Sequence, residues 1–156
     1  MNEDQSLRNQ LVGLLEGSYS HDSFDKAVAD WRPELRGVRP PGGNHSAWEL
    51  IEHIRIAQWD ILEFSRSARH VSPKWPEGYW PETAEPPNEE AWDETIEWLE
   101  EDLKLMLGLI LDPKVDLHAR IPHGDGQTLL REALTLATHN SYHIGQLMTL
   151  RKILGV

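Results

Sequence analysis

Four long stretches of this chain carry apolar residues at three- and four-residue spacing, and none shows the strict alternation of a half-buried strand. That pattern confines the chain to an all-α fold. The first stretch covers about 3–16, with Leu7, Leu11, Leu14 and Leu15 at helical spacing and Gly17 as a stop. A short piece at 23–31 offers Phe24, Ala27 and Val28 to a core. Pro33, Pro40, Pro41, Gly42 and Gly43 then interrupt regular structure. The second long helix has the clearest start signal. Ser46-Ala47-Trp48-Glu49 reads as a capping box, in which the serine and glutamate satisfy free amides reciprocally. It runs to about Arg66, with Ala47, Leu50, Ile54, Ala57 and Ile61 as its apolar stripe.

Residues 67–87 hold Pro73, Pro76, Pro81, Pro86 and Pro87 and are expected to be irregular. Twenty or so extended residues reach on the order of 60 Å, about twice the length of a 20-residue helix. The segment can therefore return along the molecule and start the third helix parallel to the second. Asn88 is the expected N-cap of that helix, with Glu89 and Glu90 suited to its positive end. Trp92, Ile96, Leu99, Leu103, Met106 and Ile110 carry it down to Pro113. After a loop at 112–127, Thr128 opens the last helix, which continues to about Leu154. One long crossover among four helices implies an up-down-down-up four-helix bundle, a single domain over residues 1–156.

Composition narrows the function. A chain of 156 residues buries roughly 70% of its unfolded surface and needs no staple. It has no cysteine, which removes disulfides, thiolate ligands and a protein thiol nucleophile together. A net charge of −11 with scattered basic residues argues against nucleic acid. No apolar run is long enough to span a membrane, and the opening residues MNEDQSLRNQ lack the features of a signal peptide. A cytoplasmic location is expected.

Of eight histidines, His21, His70 and His118 lie in polar or loop surroundings and are expected at the solvated surface. His45 beside a helix cap and His123 in a glycine-rich turn are expected to be structural. His139 and His143 differ. Four residues apart on one helix face, their imidazoles stand about one turn apart and can grip one ion. His53 flanks the second helix's apolar stripe, where an imidazole must find a partner. Spacing alone leaves two readings open: a three-histidine metal site, or a lone buried histidine bonded to a carbonyl. A carboxylate-bridged di-iron site is excluded, because Leu50, Leu136 and Asn140 stand where glutamates are needed. Asn140 after His139 also excludes the zinc-peptidase pattern His-Glu-x-x-His.

With those residues in place the chain resembles the DinB-like family of metal-binding bundles. The likeness is strongest in HSAWELIEHIRIAQWDILEF, IPHGDGQTLLREAL and THNSYHIGQLMTLRKILG. It implies an up-down-down-up bundle, commonly a homodimer, and a nickel or zinc ion held by His53, His139 and His143. Some members are thiol-dependent transferases or isomerases, and many have no assigned reaction. The leading expectation is therefore a metal-dependent enzyme that activates a low-molecular-weight thiol for transfer to an electrophile. Hydrolysis by metal-bound hydroxide and a non-catalytic interaction module are the alternatives. Glu132 is a candidate catalytic residue, or else a charge on the helix surface. Tyr142 and Gln146 are candidate substrate contacts, or else core-edge packing. The aromatics Trp75, Tyr79 and Trp80 are expected to plug the bundle's end, with a lid over the site as the other reading. Trp48, Trp59 and Trp98 put aromatics on more than one face and point to a homodimer.

Overall fold

The computed structural model describes residues 2–156. Its long helices are α1 (Glu3–Leu15), α3 (Ala47–Arg66), α4 (Ala91–Leu111) and α5 (Leu129–Leu154), with the short α2 (Phe24–Val28) between the first two. No strand occurs among the described residues, so the fold is all-α. Helix α3 packs on α4 and α5, and α1 packs on the same two, which makes a helical bundle with α2 laid against α5.

Local chemistry sets the helix ends. The Ser46 hydroxyl accepts the Glu49 amide at 3.2 Å, and the Glu49 carboxylate takes the Ser46 amide at 2.8 Å, completing the capping box. Arg39 grips the same carboxylate at 2.8 and 2.5 Å. Thr128 caps α5 by accepting the Arg131 amide, and Gly155 ends it at φ 71°, a left-handed conformation that glycine adopts without cost. The Asn88 side chain accepts the Ala91 amide at 2.8 Å, so it caps the turn that leads into α4, whose regular part starts three residues later. Residues 67–87 form one 3-10 turn, Glu77–Tyr79, and include a cis Trp75–Pro76 bond.

The interior divides into two apolar clusters. One gathers Trp31, Trp48, Ile51, Ile54, Trp92, Leu99, Ile144 and Leu147; the other gathers Leu11, Leu62, Met106, Ile110, Leu129 and Leu136. Trp48 is thus a core residue, 5% exposed, and does not supply the outer aromatic surface expected of it. At the waist between the clusters the packing turns polar. The Gln58 amide donates to the Leu99 carbonyl at 2.6 Å, and Asn140 donates to the Gln58 side-chain oxygen at 3.0 Å. This buried link ties α3, α4 and α5 at the level where the histidines lie.

Ser46 also donates to the Ala84 carbonyl, so one hydroxyl holds both the helix start and the returning loop. Ser46→Ala is expected to destabilise the protein by about 1–2 kcal/mol, lowering the melting temperature by roughly 3–6 °C in a circular-dichroism melt. An unchanged melt would show that neither bond contributes.

Candidate metal centre

Helix α3 presents His53 and α5 presents His139 and His143, one helical turn apart, across the same gap. The three form a group whose ligand-capable nitrogens all lie within 4.8 Å of one another. His53 Nε2 stands 3.0 Å from His139 Nε2 and 3.1 Å from His143 Nε2.

What those nitrogens carry follows from their neighbours. A carbonyl only accepts, so His53 Nδ1, 2.7 Å from the Tyr79 carbonyl, must be the protonated nitrogen. In a neutral ring its Nε2 is then a bare lone pair. The same logic reaches His139 through two amides. The Leu99 carbonyl fixes the Gln58 amide group, whose oxygen fixes the Asn140 amide group, which leaves Asn140 Oδ1 to accept from His139 Nδ1 at 3.3 Å. His143 Nδ1 lies 2.6 Å from Gln146 Oε1 and, with the amide in that orientation, donates to it. All three Nε2 atoms therefore carry lone pairs aimed into one small volume, with no proton between them. Such an arrangement repels itself unless a cation sits among the nitrogens. Two nitrogens each about 2.0–2.1 Å from one ion stand roughly 3 Å apart, which is the spacing observed. Hydrogen bonds on the far ring nitrogens are also what hold metal-binding histidines in tautomer and orientation. The residues fit a divalent ion.

Burial keeps the rings neutral. Each imidazole titrates below the ordinary histidine value of 6.5 because burial disfavours its charge, and His143 falls to about 4 with His139 beside it adding to the effect. The lone pairs are thus available at neutral pH, as ligation requires.

The 67–87 segment builds the rest of the site. The Trp80 indole stacks between two imidazoles, 3.9 Å from His53 at 1° and 4.0 Å from His45 at 12°. Tyr79 supplies the carbonyl that orients His53, and its hydroxyl donates to Asp60 at 2.6 Å. Burial and the Asp60 carboxylate push that hydroxyl up to about 12, so it stays a donor. His70 binds the other Asp60 oxygen at 2.7 Å. The aromatics expected to plug the bundle's end therefore wall and cover the histidines instead. Two expectations of solvated histidines are also corrected. His70 is held by Asp60, and His21 bridges the Asp22 carbonyl and the Ser141 hydroxyl, both at 2.8 Å. His118 is exposed as expected, and His123 contacts the Phe64 carbonyl in a structural role.

Beside His143 a cavity of about 590 Å³ runs along α5. Tyr142 and Gln146 both line it, Tyr142 largely exposed and Gln146 also holding the His143 ring. Glu132 lies elsewhere: buried, paired with Arg131 at 2.8 Å, two turns before His139 and outside the lining of the cavities at the histidines. Burial raises its carboxyl above the usual range. Asn140, Gln58, Asp60 and Trp80 are the supporting residues that spacing alone does not reveal.

A family model for the DinB superfamily matches residues 18–147, more than four-fifths of the chain. The chain belongs to the DinB superfamily. No curated protein and no solved structure matches it. The match runs from before α2 through α3 and α4 to the His139–His143 turn of α5.

The depressed histidines make a pH prediction. Between about 4 and 6.5 the unfolded chain binds protons that the folded chain refuses, so stability is full above 6.5 and is lost as pH falls towards 4. The melting temperature of metal-free protein is expected to drop over that interval. The drop should be smaller in His143→Leu, measured as the difference between the two proteins' melts at each pH. Parallel curves would remove His143 as a buried neutral imidazole.

Proposed function

We propose that this chain holds one nickel or zinc ion through His53, His139 and His143 and uses it to activate a low-molecular-weight thiol for transfer to an electrophile. The observation that carries the metal is that His53 Nε2 stands about 3 Å from the Nε2 of both His139 and His143, the three ligand atoms lying within 4.8 Å of one another and each ring bonded through its far nitrogen. Neutral nitrogen donors suit borderline transition metals better than magnesium or calcium. When bound, such an ion keeps open positions and lowers the pKa of a thiol or water placed there.

The chain's own residues supply the rest. With no cysteine, the thiol must come from a cosubstrate. The cavity beside His143 leads to the ion's position, and its wall includes Tyr142 and Gln146, which contact the substrate in this reading. Trp75 and Trp80 wall a second cavity, of about 360 Å³, which the three histidines also line from the loop side. Glu132, engaged by Arg131 away from both cavities at the site, takes no direct part. Membership of the superfamily supports an up-down-down-up course for the long helices, which the 67–87 crossover permits.

Purified protein is expected to carry about one equivalent of nickel or zinc by elemental analysis. His53→Ala and His143→Ala should stay helical yet lose the stabilisation that added metal gives, a mass-action effect of roughly 3–4 kcal/mol in excess ion. His118→Ala should keep it. Full metal stabilisation in His53→Ala would show that the α3 ligand is another residue. Metal-loaded protein is then assayed with a panel of thiols and a model electrophile. Acceleration supports transfer, ester or amide cleavage instead supports hydrolysis, and inactivity on both supports a binding module.

We also propose a homodimer. Trp98 and Leu105, 50% and 45% exposed, lie seven residues apart on one face of α4 and leave apolar surface that a second copy would cover. Among the described residues no helix is long and apolar enough to cross a membrane. Light scattering at micromolar concentration should return twice the 17.9 kDa chain mass; the mass of one chain would reject the dimer.

A further inference from the structure

The cavity beside His143 has walls that say what kind of molecule fits it. Its volume of about 590 Å³ lies in the usual range for small-molecule sites. Leu50, Leu150 and Ile153 give it an apolar side, and no Lys, Arg, Asp or Glu lines it. The neighbouring guanidinium, that of Arg39, is engaged by Glu49 through two bonds. A carboxylate or phosphate entering here would lose water and meet no fixed cation of the chain, and only an ion at the histidines could offset that loss, so ligand selection is read on metal-free protein.

Three features favour a hydrogen-bond acceptor on an apolar body. Both faces of Trp80 are taken by imidazoles, so the indole turns its edge, the electropositive part of the ring, towards the cavity. His45 stands in the same wall with its Nδ1 buried and without a partner. A bare lone pair is tolerated there better than an orphaned N–H, which puts the proton on Nε2 and makes His45 a donor. Gly145 is the third. It sits exposed within α5, where glycine is a poor helix former, and a Cβ there would meet nothing within 4 Å. Helix packing does not require a glycine at that place, whereas an open cavity floor does.

We infer that this cavity binds a small uncharged ligand combining an apolar body with a hydrogen-bond acceptor, an amide or carbonyl compound rather than a carboxylate or phosphate ester, an assignment that rests on the cavity being the approach to the metal centre proposed above. Its acceptor takes the His45 Nε2–H, and its body lies along Ile153 and Leu150 over Gly145.

The test follows the Trp80 indole N–H resonance of nitrogen-15-labelled protein during titration with N-benzylacetamide and with hippurate, an amide of similar size that bears a carboxylate. N-benzylacetamide is expected to bind at least about fivefold more tightly. Gly145→Leu, which fills the floor with a better helix former and meets open space, should weaken it by about tenfold or more. His45→Phe, which keeps a ring against Trp80 but removes the donor, should weaken it about threefold or more. Equal or tighter hippurate binding, undiminished binding by Gly145→Leu, or no saturable shift would overturn the assignment. Zinc uptake is measured separately on the same samples. Protein that binds the amide but no zinc keeps the ligand site and loses the metal centre, and the reverse result does the opposite.

Discussion

A backbone carbonyl can accept a hydrogen bond but never donate one, and two such carbonyls govern this site. The Tyr79 carbonyl sets the protonated nitrogen of His53 directly. The Leu99 carbonyl does the same for His139 through Gln58 and Asn140, each amide passing its orientation to the next. The result is a set of lone pairs facing one another in a poorly solvated gap, a locally unfavourable arrangement in the bare protein. Fixed far-side bonds prevent the rings from relieving it by turning over. The rigidity that makes the centre ready for a cation is therefore the same rigidity that makes it costly without one.

That cost is placed where the bundle can bear it. The two apolar clusters sit above and below the waist, so the polar layer interrupts neither. Gln58 and Asn140 are buried yet bonded, and satisfied amides at this level link three helices without a charge. Asp60 is the one buried carboxylate near the histidines with bonds to the loop on both oxygens, from Tyr79 and His70. It fastens the 67–87 segment rather than facing the ion's position.

Much of this was legible in the residues. The capping box at Ser46, the Leu and Ile stripes and the four-residue step from His139 to His143 are periodic or local signals, and the structure keeps all of them. Features that depend on which faces meet were not. Asn140 and Gln58 sit in helices where an amide reads equally well as a surface residue, and only the opposed helix makes each the other's partner. His70 and His21 were read as solvated because their segments are polar; their partners, Asp60 and Ser141, come from α3 and α5. Trp80 lies in a proline-studded stretch with no period at all, so nothing local announced that it would stand between two imidazoles. Trp48 erred the other way, since an aromatic beside a helix cap gives no sign of which side it faces.

The crossover between α3 and α4 supplies both the carbonyl that aims the His53 ring and the indole that stacks on it. Order in the loop and any occupancy of the nitrogens by a cation would therefore be two ends of one equilibrium. Whatever factor by which a settled loop strengthens the hold on a cation, the cation must strengthen the settling of the loop by the same factor. Were an ion held there, the segment would act as a gauge of the centre it covers: its protection from exchange or from proteases would read out, at a distance of many residues in the chain, whether the three imidazoles are engaged.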